Sequence, residues 1–186
     1  MFRRALLASV AAVLFALSAP LTAQAQSIYV LAGPTFPTGD FADFANTGWF
    51  AAGGVTFPVG ENGLWVGFEG SYGINNHDVD APAEFFVQDG DKTNLLGAMA
   101  LLGYNIQTEG SVNPFIWGGA GLLAHRFVPE VGDNETDTNF GYQFGAGLSF
   151  GGDDSNVHPF VEARLEGSKE SKFVAAEGGL SFGIGN

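Results

Sequence analysis

The stretch Phe140-Gly-Tyr-Gln-Phe-Gly-Ala-Gly-Leu-Ser-Phe150 decides the fold of this 186-residue chain. Its even-numbered positions carry Phe, Tyr, Phe, Ala, Leu and Phe, whereas its odd-numbered positions carry only Gly, Gln and Ser. A period of two is that of a β-strand, whose side chains point alternately to its two faces. The stretch therefore predicts a strand with one apolar face and one small or polar face.

The same alternation recurs along the chain and predicts eight strands, with no segment that requires a helix. The predicted strands cover approximately residues 27–36, 48–58, 63–73, 93–106, 113–126, 138–150, 157–167 and 172–184. Their connections alternate between short turns at 60–63, 107–112 and 151–156 and other links at 37–47, 74–92, 127–137 and 168–171. All but the last of these other links are long. This arrangement predicts an all-β fold, an eight-stranded antiparallel up-and-down transmembrane β-barrel with both termini at the short-turn end.

The choice between a membrane barrel and a soluble barrel depends on which face is apolar. The chain is 46% hydrophobic but only 15% charged, and it contains 28 Gly and 18 Phe. The interior of an eight-stranded barrel has just enough room for side chains. We therefore expect the bulky face to contact lipid and the glycine-rich face to line the lumen; a soluble periplasmic ligand-binding barrel is the alternative. Aromatic residues near strand ends are expected to form the two interfacial girdles, and they are Trp49, Trp65, Tyr72, Tyr104, Phe127, Tyr142, Phe173 and Phe182.

The first 25 residues have the pattern of a cleaved signal peptide. Arg3 and Arg4 precede an apolar run at 5–17, and Ala23-Gln-Ala25 supplies small residues for cleavage before Gln26. Residues 1–25 are therefore predicted to be the signal peptide and 26–186 the barrel domain. Removing these two arginines would lower the formal charge from −13 to −15. With seven basic and 20 acidic residues, no nucleic-acid partner is expected.

Three segments carry a resemblance to a known family: Trp49–Val55, His158–Leu165 and Glu177–Ile184. With the leader and the meander, they resemble the small outer-membrane β-barrel domain of opacity-protein and outer-membrane-protein-X-like porin-family barrels over residues 26–186. The resemblance implies location in the cell outer membrane, with contacts to outer-membrane lipids and lipopolysaccharide. It also implies that the last strand carries a signal for the outer-membrane assembly machinery, formed by Glu177, Gly179, Phe182 and Ile184. The chain departs from the many members that end on an aromatic residue, because it runs on to Asn186.

A charged cluster is predicted inside the barrel, because alternation directs Glu69, Glu162, Arg164, Glu166 and Glu177 inward. Buried acids need partners, and we expect Arg164 to pair with Glu69 or Glu177. The cluster is interpreted as a polar plug; an ion or proton path is the alternative.

No cofactor, metal site or enzymatic activity is expected. His77, His125 and His158 lack a second histidine at metal-binding spacing. Catalysis on lipid A would need a serine beside a histidine, yet Phe127 stands two residues after His125. The stretch from Asp133 lacks the glycine and the twelfth-position glutamate of an EF-hand. Loose cation binding by the loop acids remains a hypothesis.

The sequence thus predicts a monomeric, non-catalytic outer-membrane protein with an envelope-structural or surface-interaction role, such as adhesion, through acidic external loops. An extracellular partner, if there is one, is not identified by the sequence. The loop acids are Asp78, Asp80, Glu84, Asp89 and Asp91 in the second loop, and Glu130, Asp133, Glu135 and Asp137 in the third. The alternatives are a small channel for ions or solutes and a lipid-A-modifying barrel enzyme.

Overall fold

The computed structural model describes residues 26–77, 90–151 and 155–184 and contains eight strands in these ranges. They are β1 (Gln26–Pro37), β2 (Gly48–Pro58), β3 (Leu64–Asn76), β4 (Lys92–Asn105), β5 (Val112–Val128), β6 (Glu135–Phe150), β7 (Val157–Gly167) and β8 (Lys172–Ile184). Each strand pairs antiparallel with the next, and β8 pairs with β1 to close the barrel. The predicted eight-stranded up-and-down barrel is confirmed. The predicted signal peptide and four acids of the second loop, Asp78, Asp80, Glu84 and Asp89, lie outside the described residues.

Alternation along each strand separates an outer apolar face from the lumen. In β6, Phe140 is 67% exposed on the outer face, whereas Gln143 is fully buried inside. In β7, Arg164 lies inside and Val161 outside. Every strand carries exposed large apolar side chains on its outer face. Such a band suits a lipid environment rather than water.

The interior contains more bulk than the sequence-based expectation of a glycine-lined lumen. Seven aromatic side chains of the described strands form the core cluster or pack against it: Tyr29, Phe50, Trp65, Phe115, Trp117, Phe160 and Phe173. The predicted girdle is therefore wrong for Trp65 and Phe173, which pack in the core, and for Phe127, which lines a cavity in the lumen. Trp49, Tyr104 and Phe182 do lie exposed on the outer face. The error arose because strand ends carry aromatic residues on both faces.

Glycines on neighbouring strands make room for these inward rings. Direct cross-strand partners are Tyr29 and Gly54, Trp65 and Gly103, Phe115 and Gly147, Trp117 and Gly145, and Phe160 and Gly179. A Cβ atom on any of these five glycines would overlap the ring opposite it. These five glycines thus line the lumen as expected, but aromatic rings cover them.

One short helix departs from the all-strand expectation. The first long link contains a 3-10 helix, Gly39–Asp43, which buries Phe41 to 3% exposure. Gly39 adopts a φ of 61°, a left-handed conformation that glycine tolerates. Ala45 then forms a β-bridge with His77, which joins this link to the end of β3. Among the described residues, no helix has the length and apolar character needed to cross a membrane.

Candidate functional site

Arg164 lies at the centre of the lumen and is 1% exposed. Strand β7 directs its guanidinium inward, where Nη1 is 2.6 Å from Glu69 Oε1 and Nη2 is 2.9 Å from Glu69 Oε2. This two-point geometry is the strongest form of an arginine–carboxylate pair. The guanidinium also lies over the rings of Phe50 and Trp117, 4.9 and 4.7 Å from their centroids. Arg164 is therefore fixed by both charge and packing.

Three further carboxylates surround the same guanidinium. Glu162 Oε1 is 3.1 Å from Nη2, Glu177 Oε2 is 3.0 Å from Nε, and Glu166 Oε2 is 3.6 Å from Nη1. The structure thus brings together all five residues that alternation directed inward. We refer to Arg164, Glu69, Glu162, Glu166 and Glu177 as the arginine layer.

Two uncharged side chains complete the hydrogen bonding around Glu69. Tyr29 donates its hydroxyl hydrogen to Glu69 Oε2 at 2.7 Å. Gln143 donates to Glu69 Oε1 at 3.2 Å and accepts from Arg164 Nη1 at 3.2 Å. Neither residue is in the cluster predicted from the sequence, which contained charged residues only. Tyr29 was missed because it reads as part of an apolar strand.

The arginine layer contains more carboxylates than cations. Four glutamates face one guanidinium, and Glu162 lies directly opposite Glu177 across β7 and β8. Two carboxyl groups placed so close together need a proton or another cation between them. Both carboxylate oxygens of Glu166 lack a hydrogen-bond donor among the described residues. The carboxylates of the arginine layer can therefore accept more hydrogen bonds than Arg164 donates to them.

The layer separates two cavities at opposite ends of the barrel. A cavity of about 670 Å³ lies at the short-turn end, and Glu69, Glu162 and Arg164 form its floor. A second cavity, of about 760 Å³, lies at the long-loop end. The two share no lining residue among the described part of the chain, and fully buried Phe50, Leu123 and Phe173 lie in the barrel with the layer. The arginine layer and these apolar side chains thus lie between the two cavities in the described part of the barrel.

The fold agrees with comparisons to known proteins. The model of the outer membrane protein β-barrel domain family matches residues 9–181. The chain belongs to this family. Membership implies that this barrel is located in the outer membrane. None of the curated protein sequences matches the chain.

Solved structures share the fold of this outer-membrane barrel at low identity. Neisserial surface protein A is 14% identical, with a TM-score of 0.63, and the match covers 84% of this chain and 96% of that one. The N-terminal β-barrel domain of OprF from Pseudomonas aeruginosa is 17% identical, with a TM-score of 0.51 and coverage of 87% and 100%. A major outer membrane protein from Thermus thermophilus is 10% identical, with a TM-score of 0.50 and coverage of 87% and 100%.

The last strand of the outer-membrane barrel displays the residues of the predicted assembly signal on both faces. Glu177 belongs to the arginine layer, and Gly179 lies against the ring of Phe160 inside the lumen. Phe182 and Ile184 are exposed on the outer face. The apolar half of the signal thus faces the membrane side, while its polar residue is buried.

His125 has serine neighbours that the sequence does not reveal. Ser168 Oγ lies 2.9 Å and Ser171 Oγ 3.5 Å from His125 Nε2, although both serines are more than 40 positions away. Ser168 Oγ also accepts hydrogen bonds from the backbone amides of Glu170 and Ser171, at 3.1 and 3.3 Å. These hydrogen bonds to the backbone hold the turn between β7 and β8.

His77 lies at the long-loop end, just beyond β3. Its Nε2 is 2.8 Å from Thr93 Oγ1, and its ring stacks on Phe127 with centroids 5.3 Å apart. Burial lowers the pKa of His77, and the nearby Asp91 carboxylate partly opposes this effect. Among the described residues, no group of three or more His, Cys, Asp or Glu side chains has an arrangement that could hold a metal ion.

Proposed function

We propose that this protein is a non-catalytic, non-conducting outer-membrane barrel that stabilises the envelope and supports its external loops for surface interaction. The observation that carries the proposal is the arginine layer, which fills the lumen between the two cavities. A narrow eight-stranded barrel filled by side chains offers no aqueous path of the kind found in larger porins. We interpret the layer as a structural plug.

The extension of β6 beyond the end of its pairing with β7 supports a role at the cell surface. Residues 135–141 of β6 pair with β5 but have no partner on β7, whose pairing with β6 begins at Tyr142 and Gly167. This extension of β6, which is paired with β5 but not with β7, carries the exposed acids Glu135 and Asp137. Short turns of such barrels face the periplasm, so the extension would project outward. It would offer an acidic surface to an extracellular partner.

The proposed setting follows from the leader and the outer face. The chain would be exported, cleaved before Gln26 and inserted as a monomer by the outer-membrane assembly machinery. Its apolar band would then contact lipids and lipopolysaccharide.

Planar-bilayer recording of the mature chain, starting at Gln26, tests the closed lumen. The mass of the protein from outer-membrane fractions checks that starting residue. We expect no steady conductance from barrels whose folding is verified by heat-modifiable gel mobility and whose insertion is verified in the same lipid. Steady open-channel currents would contradict the proposal and favour the small channel.

A further inference from the structure

We propose that the cavity at the short-turn end binds a small organic cation, an ammonium with a compact apolar body. This inference does not depend on the surface role, because it concerns the opposite end of the barrel. Its basis is the combination of aromatic walls, a carboxylate-rich floor and a cavity of suitable size.

The walls of this cavity are aromatic. Tyr29, Trp65, Phe115, Trp117 and Phe160 all line it. Phe160 meets both Tyr29 and Phe115 edge to face, with centroids 6.3 and 6.0 Å apart. The faces of aromatic rings attract cations, and cages of such rings recognise quaternary ammonium groups. The volume of about 670 Å³ is within the usual range of small-molecule sites.

The floor of the cavity supplies negative charge. Glu69 and Glu162 line it together with Arg164, and Glu166 and Glu177 contact the same guanidinium from within the layer. One arginine thus faces four carboxylates. An ammonium placed on the floor would share Glu162 with Arg164. The bound ammonium would thus give the carboxylates of the arginine layer a second cation, which the described residues do not provide.

The lining disfavours an anionic ligand. Arg164 is the only Lys or Arg among the described lining residues, and its guanidinium already contacts carboxylates and two rings. The rim adds the amides and hydroxyls of Asn113, Ser27 and Ser181 and the imidazole of His158. These groups keep the entrance hydrated. The chemistry consequently favours a cation over an anion.

Access is from the short-turn end. Pro58, Gly63 and residues 106–108 line the cavity, and they belong to the turns or to the strand ends next to them. In the orientation proposed above, this entrance faces the periplasm. The ligand is therefore a cation available in that compartment.

Tryptophan fluorescence provides the test, because two of the three tryptophans line the cavity. Trp49 is on the outer face, 48% exposed, and Trp49→Phe leaves only Trp65 and Trp117 as reporters. Choline is the probe, and 3,3-dimethylbutan-1-ol is its neutral counterpart of the same shape. In a non-ionic detergent, we expect a saturable fluorescence change with choline. The alcohol should bind at least about tenfold more weakly, as expected when a charged contact is lost.

Matched variants locate the binding. Glu162→Gln should weaken choline binding about tenfold or more, whereas Glu135→Gln, the same change at the other end of the barrel, should leave it unaltered. Trp65→Leu should also weaken choline binding, and Trp117 is then the fluorescence reporter. This variant replaces Glu162→Gln in the test if Glu162→Gln does not fold. Heat-modifiable mobility verifies each barrel. Equal binding of choline and the alcohol, no response in a folded barrel, or equal affinities of the Glu162 and Glu135 variants would overturn the proposal.

Discussion

Single cross-strand pairs of an aromatic ring and a glycine determine how the interior of this barrel is filled. The Trp65 indole occupies the space above Gly103, and its Nε1 donates a hydrogen bond to Asn105 Oδ1 at 3.2 Å. A side chain on Gly103 would have to displace a ring that is both rigid and tethered. The abundance of glycine is therefore a packing requirement of the closed barrel as well as a property of its strands.

The Trp65–Gly103 pair leads to a stability prediction. Gly103→Ala should lower the free energy of unfolding by about 1–3 kcal/mol, because the new methyl group overlaps the Trp65 indole. Gly70→Ala is the matched control, since a Cβ atom there has no neighbouring heavy atom within 4 Å. Urea unfolding in detergent, followed by fluorescence, measures both. Equal losses in the two variants would contradict the packing role of the pair.

At the scale of elements, the sequence predicted where strands run but not where they end. The apolar alternation stops near residue 138, yet β6 begins at Glu135 because residues 135–137 pair with the end of β5. The link between β1 and β2 is likewise ordered although its sequence has no periodic pattern. Its order comes from the 3-10 helix and from the bridge between Ala45 and His77 rather than from a local pattern. Pairing with a distant neighbour thus orders polar segments that lack a signal of their own.

Protonation of His77 should loosen this link. Burial lowers the pKa of the folded-state imidazole below its usual value near 6.5. The open state consequently binds more protons in the window below about pH 6.5, and the stability of the closed link falls as pH drops through that window. Hydrogen exchange at Ala45, Asn46 and His77, corrected for the intrinsic rate, should show more frequent opening at pH 5.5 than at pH 7.5.

His77→Phe is the control for this pH dependence. Phenylalanine retains a ring that can stack on Phe127 but does not titrate. The difference in opening between the two pH values should therefore shrink in this variant. If the wild-type and variant chains respond alike, another group governs the link.

At the scale of the whole molecule, the arginine layer joins strands that are far apart in the chain. Glu69 on β3 and Arg164 on β7 are 95 positions apart, and Glu177 arrives from β8. Tyr29 on β1 and Gln143 on β6 complete the hydrogen bonding. Removing the only cation of the layer would leave four carboxylates buried together.

Replacement of Arg164 tests this dependence. Arg164→Met should lower the free energy of unfolding by about 3–5 kcal/mol, the usual cost of breaking a buried ion pair from one side. Arg164→Lys should recover only part of this loss, because one ammonium cannot reproduce the contacts of the planar guanidinium. The matched control is Arg126→Met on β5, where the arginine is exposed. Urea midpoints measure all three, and an unchanged midpoint for Arg164→Met would contradict the structural role of the layer.

The amino-acid sequence by itself determined the strands, their order, the closed antiparallel barrel and the inward direction of the charged residues. These follow from local rules, because a period of two fixes the faces of a strand and short turns fix its neighbours. The tertiary structure decided which groups meet: all four glutamates on Arg164, Ser168 on His125, and five of the inward rings on the glycines opposite them. Those contacts depend on the stagger between neighbouring strands around the closed barrel, which no short stretch of sequence encodes.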